Sequence, residues 1–258
     1  MPRAAVLGRP IGHSLSPRLH RAAYRALGLA DWTYDAVECD EAALPAFLDQ
    51  LDGDWVGLSL TMPLKRTVLS HVDSASGLAQ RVGAANTVLL SGAGRHADNT
   101  DVGGVVDVLR DVDVSRPVIL GAGGTAAAAL AALHSLGTPH VTVVVRDPDR
   151  ACELVRAAAR IGIDIRVVSW PTLPDASLVV STVPSGAVDA LGALPWGAGT
   201  TVFDVVYDGW PTTLARAAAE RGCRVISGLQ LLLHQAARQV TLMTGLPAPL
   251  QAMRDALR

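Results

Sequence analysis

The sequence predicts an α/β fold built as two blocks, the second of them Rossmann-like. Three observations lead there. Short apolar runs alternate with helical stretches from the N-terminus to about Asp101, a βαβ pattern that calls for a parallel or mixed sheet covered by helices. A more regular alternation begins after Arg116. Its strands are apolar from end to end, as a sheet buried on both faces requires.

In the first block, Ala4 to Leu7 is an apolar strand that stops at Gly8. Pro17 to Leu27 is a helix, with Ser16 placed to cap it and Pro17 suited to its first turn. Trp32 to Val37 is a strand, Glu41 to Leu51 a helix, and Val56 to Leu60 and Val88 to Leu90 are strands again. A helix from Val102 to Leu109 bridges the blocks. In the second block, strand Val118 to Leu120 runs into GAGGTAAAALAALHSLG, a glycine-rich turn and an Ala/Leu helix ending at Gly137. Strand Val141 to Val145, helix Pro148 to Ile161 and strand Ile165 to Val168 follow, then strands Leu178 to Ser181, Thr201 to Val205 and Arg224 to Ile226. The tail from Gly228 to Arg258 is helical, with Leu231, Leu232, Ala236 and Val240 on one apolar face.

Composition removes several classes of function. The 258 residues carry 22 Lys+Arg against 24 Asp+Glu, a net charge of −2 with no basic block, which argues against a nucleic-acid surface or an electrostatic membrane anchor. Half the residues are hydrophobic and 18% are charged, ample for a core. No apolar run reaches the roughly 18 residues of a spanning helix, and MPRAAVLGRP lacks the apolar centre of a signal peptide. A cytoplasmic protein acting on a small molecule, without nucleic acid or membrane, is the expectation. Cys39, Cys152 and Cys223 are far apart and form no ligand cluster; they read as buried small hydrophobes rather than metal ligands or a disulfide frame, so no metal is expected.

The glycine turn carries the first chemical signal. Gly121, Ala122, Gly123, Gly124, Thr125 and Ala126 lie between a strand and a helix. Absent side chains let the backbone approach a pyrophosphate, and the helix N-terminus offers free N–H groups and the positive end of its dipole. Ala126 meets the packing need of the third small position of GxGxxG. Cofactor choice turns on the end of the next strand, Val144-Val145-Arg146-Asp147, with Arg150 one turn on. Two arginines suit a 2′-phosphate and favour NADP(H); Asp147 either accepts ribose hydroxyls or caps the helix that begins at Pro148.

Four segments of the first block carry polar groups that an apolar sheet domain does not need: HSLSP with Ser14 and Ser16, SLTMPLK with Thr61 and Lys65, GAANT with Asn86, and DNTDVGG with Asp101. Singly, each has an ordinary use as a cap, a turn or a solvated charge. Together and in order, with GAGGTA, STVPSG, Asp204-Val-Val-Tyr207, Trp-Pro-Thr-Thr-Leu214 and GLQLLLHQ, they make the chain resemble the shikimate dehydrogenase family over essentially its whole length.

That resemblance implies reversible reduction of 3-dehydroshikimate to shikimate with NADPH, in the chorismate route to aromatic amino acids. It implies a substrate domain, residues 1–101 plus 228–258, with a mixed, mainly parallel sheet. It also implies a dinucleotide-binding domain, 102–227, with a cleft between the two. Ser14 and Ser16 are expected to hold the substrate carboxylate with Thr61 nearby. Lys65, Asn86, Asp101 and Gln235 are expected to meet the ring hydroxyls, with Tyr207 lining the pocket. Gly121 to Ala126 are expected to hold the pyrophosphate and Arg146, Asp147 and Arg150 the adenosine end. Val205 and Gly228 are expected to lie beside the nicotinamide. Lys65 is the expected acid/base, an ammonium that stabilises the growing alkoxide and donates to it, with Asp101 orienting it. His13 and His20 are expected to order the serine loop and to pack a helix face.

The pattern also departs from the family's. SLTMPLK places Ser59 and Leu60 where NVTxPxK has Asn and Val, Arg21 replaces a frequent Asn, and Val145-Arg146-Asp147 replaces Asn-Arg-Thr. Quinate/shikimate or aminoshikimate dehydrogenases would share nearly all the motifs, and a non-catalytic ligand sensor would keep the binding site while losing Lys65 or Asp101. Assembly as a monomer or a homodimer is expected.

Overall fold

The computed structural model describes residues 1–188 and 195–258. The chain divides into two compact units, Met1–Gly104 with Leu232–Arg258, and Val105–Leu231. Both crossings lie inside helices, where the sequence reading put them at 101/102 and 227/228.

Unit 1 is a six-stranded mixed sheet. Strands β1 (Arg3–Gly8), β2 (Thr33–Glu38), β3 (Trp55–Leu60), β4 (Ser74–Ala75), β5 (Thr87–Ser91) and β6 (Gly94–Asp98) stand in the order β2-β1-β3-β5-β6-β4. β1 pairs parallel with β2 and β3, β5 runs antiparallel to β3 and β6, and β4 is parallel to β6. Central β1 is buried from Ala4 to Gly8, which explains its unbroken apolar run. Helices α1 (Ser16–Ala26), α2 (Leu44–Asp49), α3 (Leu64–Thr67) and α4 (Gly77–Val82) connect the strands. α5 (Thr100–Leu109) leaves the unit, and α9 (Gly228–Thr244) with α10 (Leu250–Asp255) returns to it.

Unit 2 is a six-stranded, all-parallel sheet. β7 (Pro117–Leu120), β8 (His140–Val145), β9 (Asp164–Ser169), β10 (Leu178–Ser181), β11 (Thr201–Asp204) and β12 (Arg224–Ser227) stand in the order β12-β11-β10-β7-β8-β9. This is the doubly wound order whose reversal point, between β7 and β10, is where such sheets bind ligands at the carboxyl ends of their strands. Helix α6 (Gly124–Ser135) follows β7, α7 (Cys152–Ile161) follows β8, and α8 (Thr213–Glu220) precedes β12. β7, β10 and β11 are buried throughout, and α6 buries every residue from Ala126 to Leu133. Its alanines fit where larger side chains would hold a helix off the sheet.

Several expectations are corrected. Ser16 is not a cap: Leu15 occupies the N-cap position without a side-chain bond, and Ser16 opens the helix with its N–H donated to Ser14 Oγ at 3.3 Å. β4, β6, α3, α4 and α8 were not expected as elements; β6, GRHAD, is polar and only partly buried, so it offers no apolar run. The tail is two helices rather than one. Helix α7 is shorter than expected because Pro148–Ala151 forms a 3-10 turn. Cys152 is exposed, while Cys39 and Cys223 are buried. No described helix is long and apolar enough to cross a membrane.

Candidate functional site

In unit 1 the polar motifs converge on the carboxyl ends of β1 and β3. Lys65 sits on α3, just past the turn in which Leu64 N–H returns to Thr61 O at 2.8 Å. Asp101 sits in the first turn of α5, where a carboxylate suits the positive end of the helix dipole. Lys65 Nζ donates to Asp101 Oδ2 at 2.6 Å, with the two side chains 17% and 5% exposed. Such a pair is worth little as net stability against an apolar substitute, so its value here lies in the geometry it fixes.

Asn86 completes the arrangement from the start of β5. Its backbone is held on both sides, Leu60 N–H to Asn86 O at 2.8 Å and Asn86 N–H to Asp98 O at 3.1 Å. Its Nδ2 donates to Asp101 Oδ1 at 2.8 Å and to Gln235 Oε1 at 3.2 Å, and its Oδ1 accepts the Thr100 N–H at 2.7 Å. Direct hydrogen bonds therefore connect Lys65, Asp101, Asn86 and Gln235, drawn from α3, α5, the start of β5 and α9. Thr61 N–H bonds to Leu7 O at 2.9 Å, so the Lys65 turn lies beside the end of β1. From there the loop 9–15 carries the half-buried Ser14 to the buried Ser16.

His20 packs where the sequence placed it, on the inner face of α1. It stacks on Tyr34 with ring centroids 3.8 Å apart, and burial pushes its pKa down to about 3, so the ring is neutral. His13 is exposed.

In unit 2 the glycine turn has the geometry its sequence requires. Gly121 has φ +104°, and a Cβ there would press on Thr182 Oγ1 and Val183 Cγ1 at 2.8 and 2.9 Å. Gly123 is the N-cap of α6 and supplies no side-chain bond, so the start of the helix is approached by bare backbone. A cavity of about 530 Å³ opens beside it, lined by Gly121, Ala122, Val144–Asp147, Arg150, Trp170 and Val183. Arg146 and Arg150 are exposed at this cavity and, among the described residues, neither pairs with a carboxylate. Asp147 is committed elsewhere: its Oδ1 accepts Asp149 N–H at 3.1 Å and caps the 3-10 turn.

These residues fit a phosphorylated dinucleotide. The glycine cradle would take the pyrophosphate, and two guanidiniums without a carboxylate partner would suit the 2′-phosphate better than a bare ribose. Trp170, which the sequence reading missed, places its ring 5.9 Å from the Arg146 guanidinium carbon. A tryptophan at a strand end beside proline gives no local hint of this contact.

Val205 and Gly228 come together within unit 2. A Cβ on Gly228 would run into the carbonyls of Val205 and Val206, so only glycine lets α9 begin against the end of β11. Asp204 anchors that end, accepting from Thr212 Oγ1 at 2.7 Å and Val206 N–H at 3.2 Å; burial raises its pKa. Tyr207 follows, half-buried.

Comparisons with known proteins agree with this layout. The family model described as the shikimate dehydrogenase substrate binding domain matches residues 6–88. That of the shikimate 5′-dehydrogenase C-terminal domain matches residues 228–258. The NADP(+) shikimate dehydrogenase of Moorella thermoacetica is 36% identical, covering 98% of this chain and 92% of its own. The crystal structure of Mycobacterium tuberculosis shikimate dehydrogenase has a TM-score of 0.88 at 45% identity, covering 100% of this chain and 98% of that one. The Thermus thermophilus shikimate 5-dehydrogenase in complex with NADP(H) and shikimate has a TM-score of 0.86 at 35% identity, covering 99% and 98%.

Proposed function

The chain belongs to the shikimate dehydrogenase family, and from that premise we propose that it reversibly reduces 3-dehydroshikimate to shikimate with NADPH. Unit 1 serves as its substrate domain and unit 2 as its dinucleotide-binding domain. The observation that carries the reading is the 2.6 Å contact between Lys65 Nζ and Asp101 Oδ2, a cation held by a buried carboxylate beside the serine and threonine turns.

NADP(H), when bound, supplies or takes the hydride. In reduction, Lys65 Nζ–H stabilises the negative charge growing on the carbonyl oxygen and delivers a proton to it; in oxidation the amine takes that proton back. Asp101 fixes the ammonium and accepts from a ring hydroxyl. Ser14 and Ser16, with Thr61, hold the substrate carboxylate; Asn86, Gln235 and Tyr207 complete the pocket. Gly121 to Ala126 take the pyrophosphate, Arg146 and Arg150 the 2′-phosphate, and Val205 and Gly228 the nicotinamide side. With Asp147 Oδ1 used as a cap, the preference for NADP over NAD follows from the two arginines. Three free thiols suit a reducing compartment, and we place the enzyme in the cytoplasm, as a monomer or homodimer.

Steady-state rates with shikimate and quinate, each with NADP+ and NAD+, test this. The highest kcat/KM is expected for shikimate with NADP+. A preference for quinate, or the absence of turnover with any cyclohexene carboxylate, would overturn it.

A further inference from the structure

Behind the Lys65–Asp101 pair, unit 1 buries a set of polar side chains that the proposed chemistry does not touch. Gln239, one turn after Gln235 on α9, is 1% exposed. Its Oε1 accepts from Ser59 Oγ at 2.8 Å and lies 3.3 Å from His20 Nε2. Its Nε2 donates to Asn86 O and to Thr87 Oγ1, both at 3.0 Å. Ser59 Oγ in turn accepts from the Tyr34 hydroxyl at 2.6 Å. Thr87 Oγ1 donates to Asn86 Oδ1 at 3.0 Å, and Asn86 Nδ2 donates to Asp101 Oδ1 at 2.8 Å.

The hydrogen bonds in this series all point the same way. Each hydroxyl has one proton and each amide a distinct donor end, so the order Tyr34, Ser59, Gln239, Thr87, Asn86, Asp101 has its donors facing Asp101 throughout. The neutral His20 ring, facing an acceptor, presents its Nε2 proton and adds a second donor to Gln239 Oε1. Reversing the Gln239 amide would set its NH2 against those donors and its oxygen against Asn86 O. Ser59, Thr87, Tyr34 and His20 are each at most 3% exposed, so water offers no substitute partner.

We infer that Gln239 is a positioning residue for the reaction. Together with the Thr100 N–H, which donates to Asn86 Oδ1 directly, it holds the Asn86 amide in the orientation that occupies Asp101 Oδ1, which leaves Oδ2 to Lys65. Ser59, which accepts from Tyr34 and donates to Gln239 Oε1, fixes which end of the Gln239 amide faces β3. The inference deepens the proposed dehydrogenase chemistry and rests on it.

Two substitutions separate positioning from packing. Gln239→Met fills the space without polar ends and is expected to lower kcat about tenfold at every pH, the cost of roughly one lost hydrogen-bonded orientation. Shikimate KM is expected to stay within about twofold, since Ser14 and Ser16 are untouched. Gln239→Glu can replace the amide only while protonated, its O–H standing in for the lost N–H donor. The titratable groups packed around position 239 are His20 from α1 and Tyr34 from β2, with Asp101 on α5 beyond Asn86. Its kcat relative to wild type is therefore expected to be near one at pH 6 and to fall about tenfold by pH 9, as the carboxyl ionises. Thermal melts at each pH confirm that the variants are folded during assay. A flat ratio for Gln239→Glu, a Gln239→Met kcat within twofold of wild type, or a loss confined to KM would each overturn the inference. If Gln239→Met does not fold, the pH ratio of Gln239→Glu decides alone. Wild-type turnover of shikimate with NADP+ is measured alongside: its absence defeats the proposed reaction, whereas its presence with unaffected variants defeats only the role of Gln239.

Discussion

The polar residues of unit 1 and those of unit 2 are prepared for their tasks in opposite ways. In unit 1 the proton-handling groups are buried or half-buried and already bonded to one another, with Lys65 and Asp101 as one pair and Asn86, Gln235 and Gln239 holding its far side. In unit 2 the cations at the cavity stand exposed without a carboxylate partner among the described residues, and Asp147, the carboxylate that lines the cavity, is turned into a cap. A group that must present a proton along a fixed line gains from being oriented before the substrate arrives, because no reorganisation is then left for the transition state. A group that captures a dianion gains from having no rival carboxylate to displace. The difference teaches that hydrogen-bond saturation marks the chemistry and its lack marks ligand capture.

The strongest test of that contrast is Lys65→Met. It removes the proton donor and leaves Asp101 buried with only Asn86 as its described partner, so kcat is expected to fall by about 10²- to 10⁴-fold in steady-state assays with shikimate and NADP+. Shikimate KM is expected to change by no more than a few-fold. Full turnover would show that the saturated network serves stability alone. In unit 2, Arg146→Ala with Arg150→Ala is expected to raise KM for NADP+ by about 10- to 100-fold, the worth of one or two charge-assisted hydrogen bonds. KM for NAD+ and the melting temperature are expected to stay almost unchanged, because neither guanidinium holds the fold together. An equal rise for both dinucleotides would remove the assignment to the 2′-phosphate.

The two halves also differ in how much the sequence disclosed. The Rossmann-like block was legible because its demands are local: apolar strands, a glycine turn with φ +104° at Gly121, and an alanine helix that must lie close. The unit 1 site was legible only through its motifs. Lys65 and Asp101 are 36 residues apart and meet because the sheet order brings the ends of β3 and β6 together, which no periodicity encodes. Ser59 read as a departure from a pattern, and Gln239 as one more polar residue on an amphipathic helix. Their burial depends on Tyr34 and His20 arriving from elsewhere in the chain. Ser16 looked like a cap because loop geometry, which sets where the helix starts, leaves no trace in residue type. Trp170 was silent for the same reason: a cavity wall assembled from the ends of four strands is a property of the sheet.

The buried network carries a price in acid that the exposed cations do not. His20 has a folded pKa of about 3, below the 6.5 it takes when unfolded, so in that window the unfolded chain binds more protons. Its contribution to stability is complete above pH 6.5 and is lost progressively as the pH falls towards 3. Between pH 6.5 and 5 the wild type is expected to lose about 2 kcal/mol through this residue, read as a falling urea midpoint. His20→Phe keeps a ring on Tyr34 and is expected to flatten that slope; an unchanged slope would place the acid sensitivity elsewhere.

The smallest expected effect sharpens the other side of the comparison. Arg146 has no carboxylate partner, yet it lies over the Trp170 face, with its guanidinium carbon 5.9 Å from the ring centroid. A cation over an indole at a partly exposed site is worth about 0.5–1 kcal/mol, which orients the arginine without neutralising it. Trp170→Ala is therefore expected to weaken binding of 2′,5′-ADP by roughly two- to fivefold in calorimetry, leaving 5′-AMP nearly unaffected. Trp170→Phe retains an aromatic face and is expected to restore most of the loss. Equal weakening of both fragments would mean that the indole packs the adenosine itself, and that Arg146 meets the phosphate unaided.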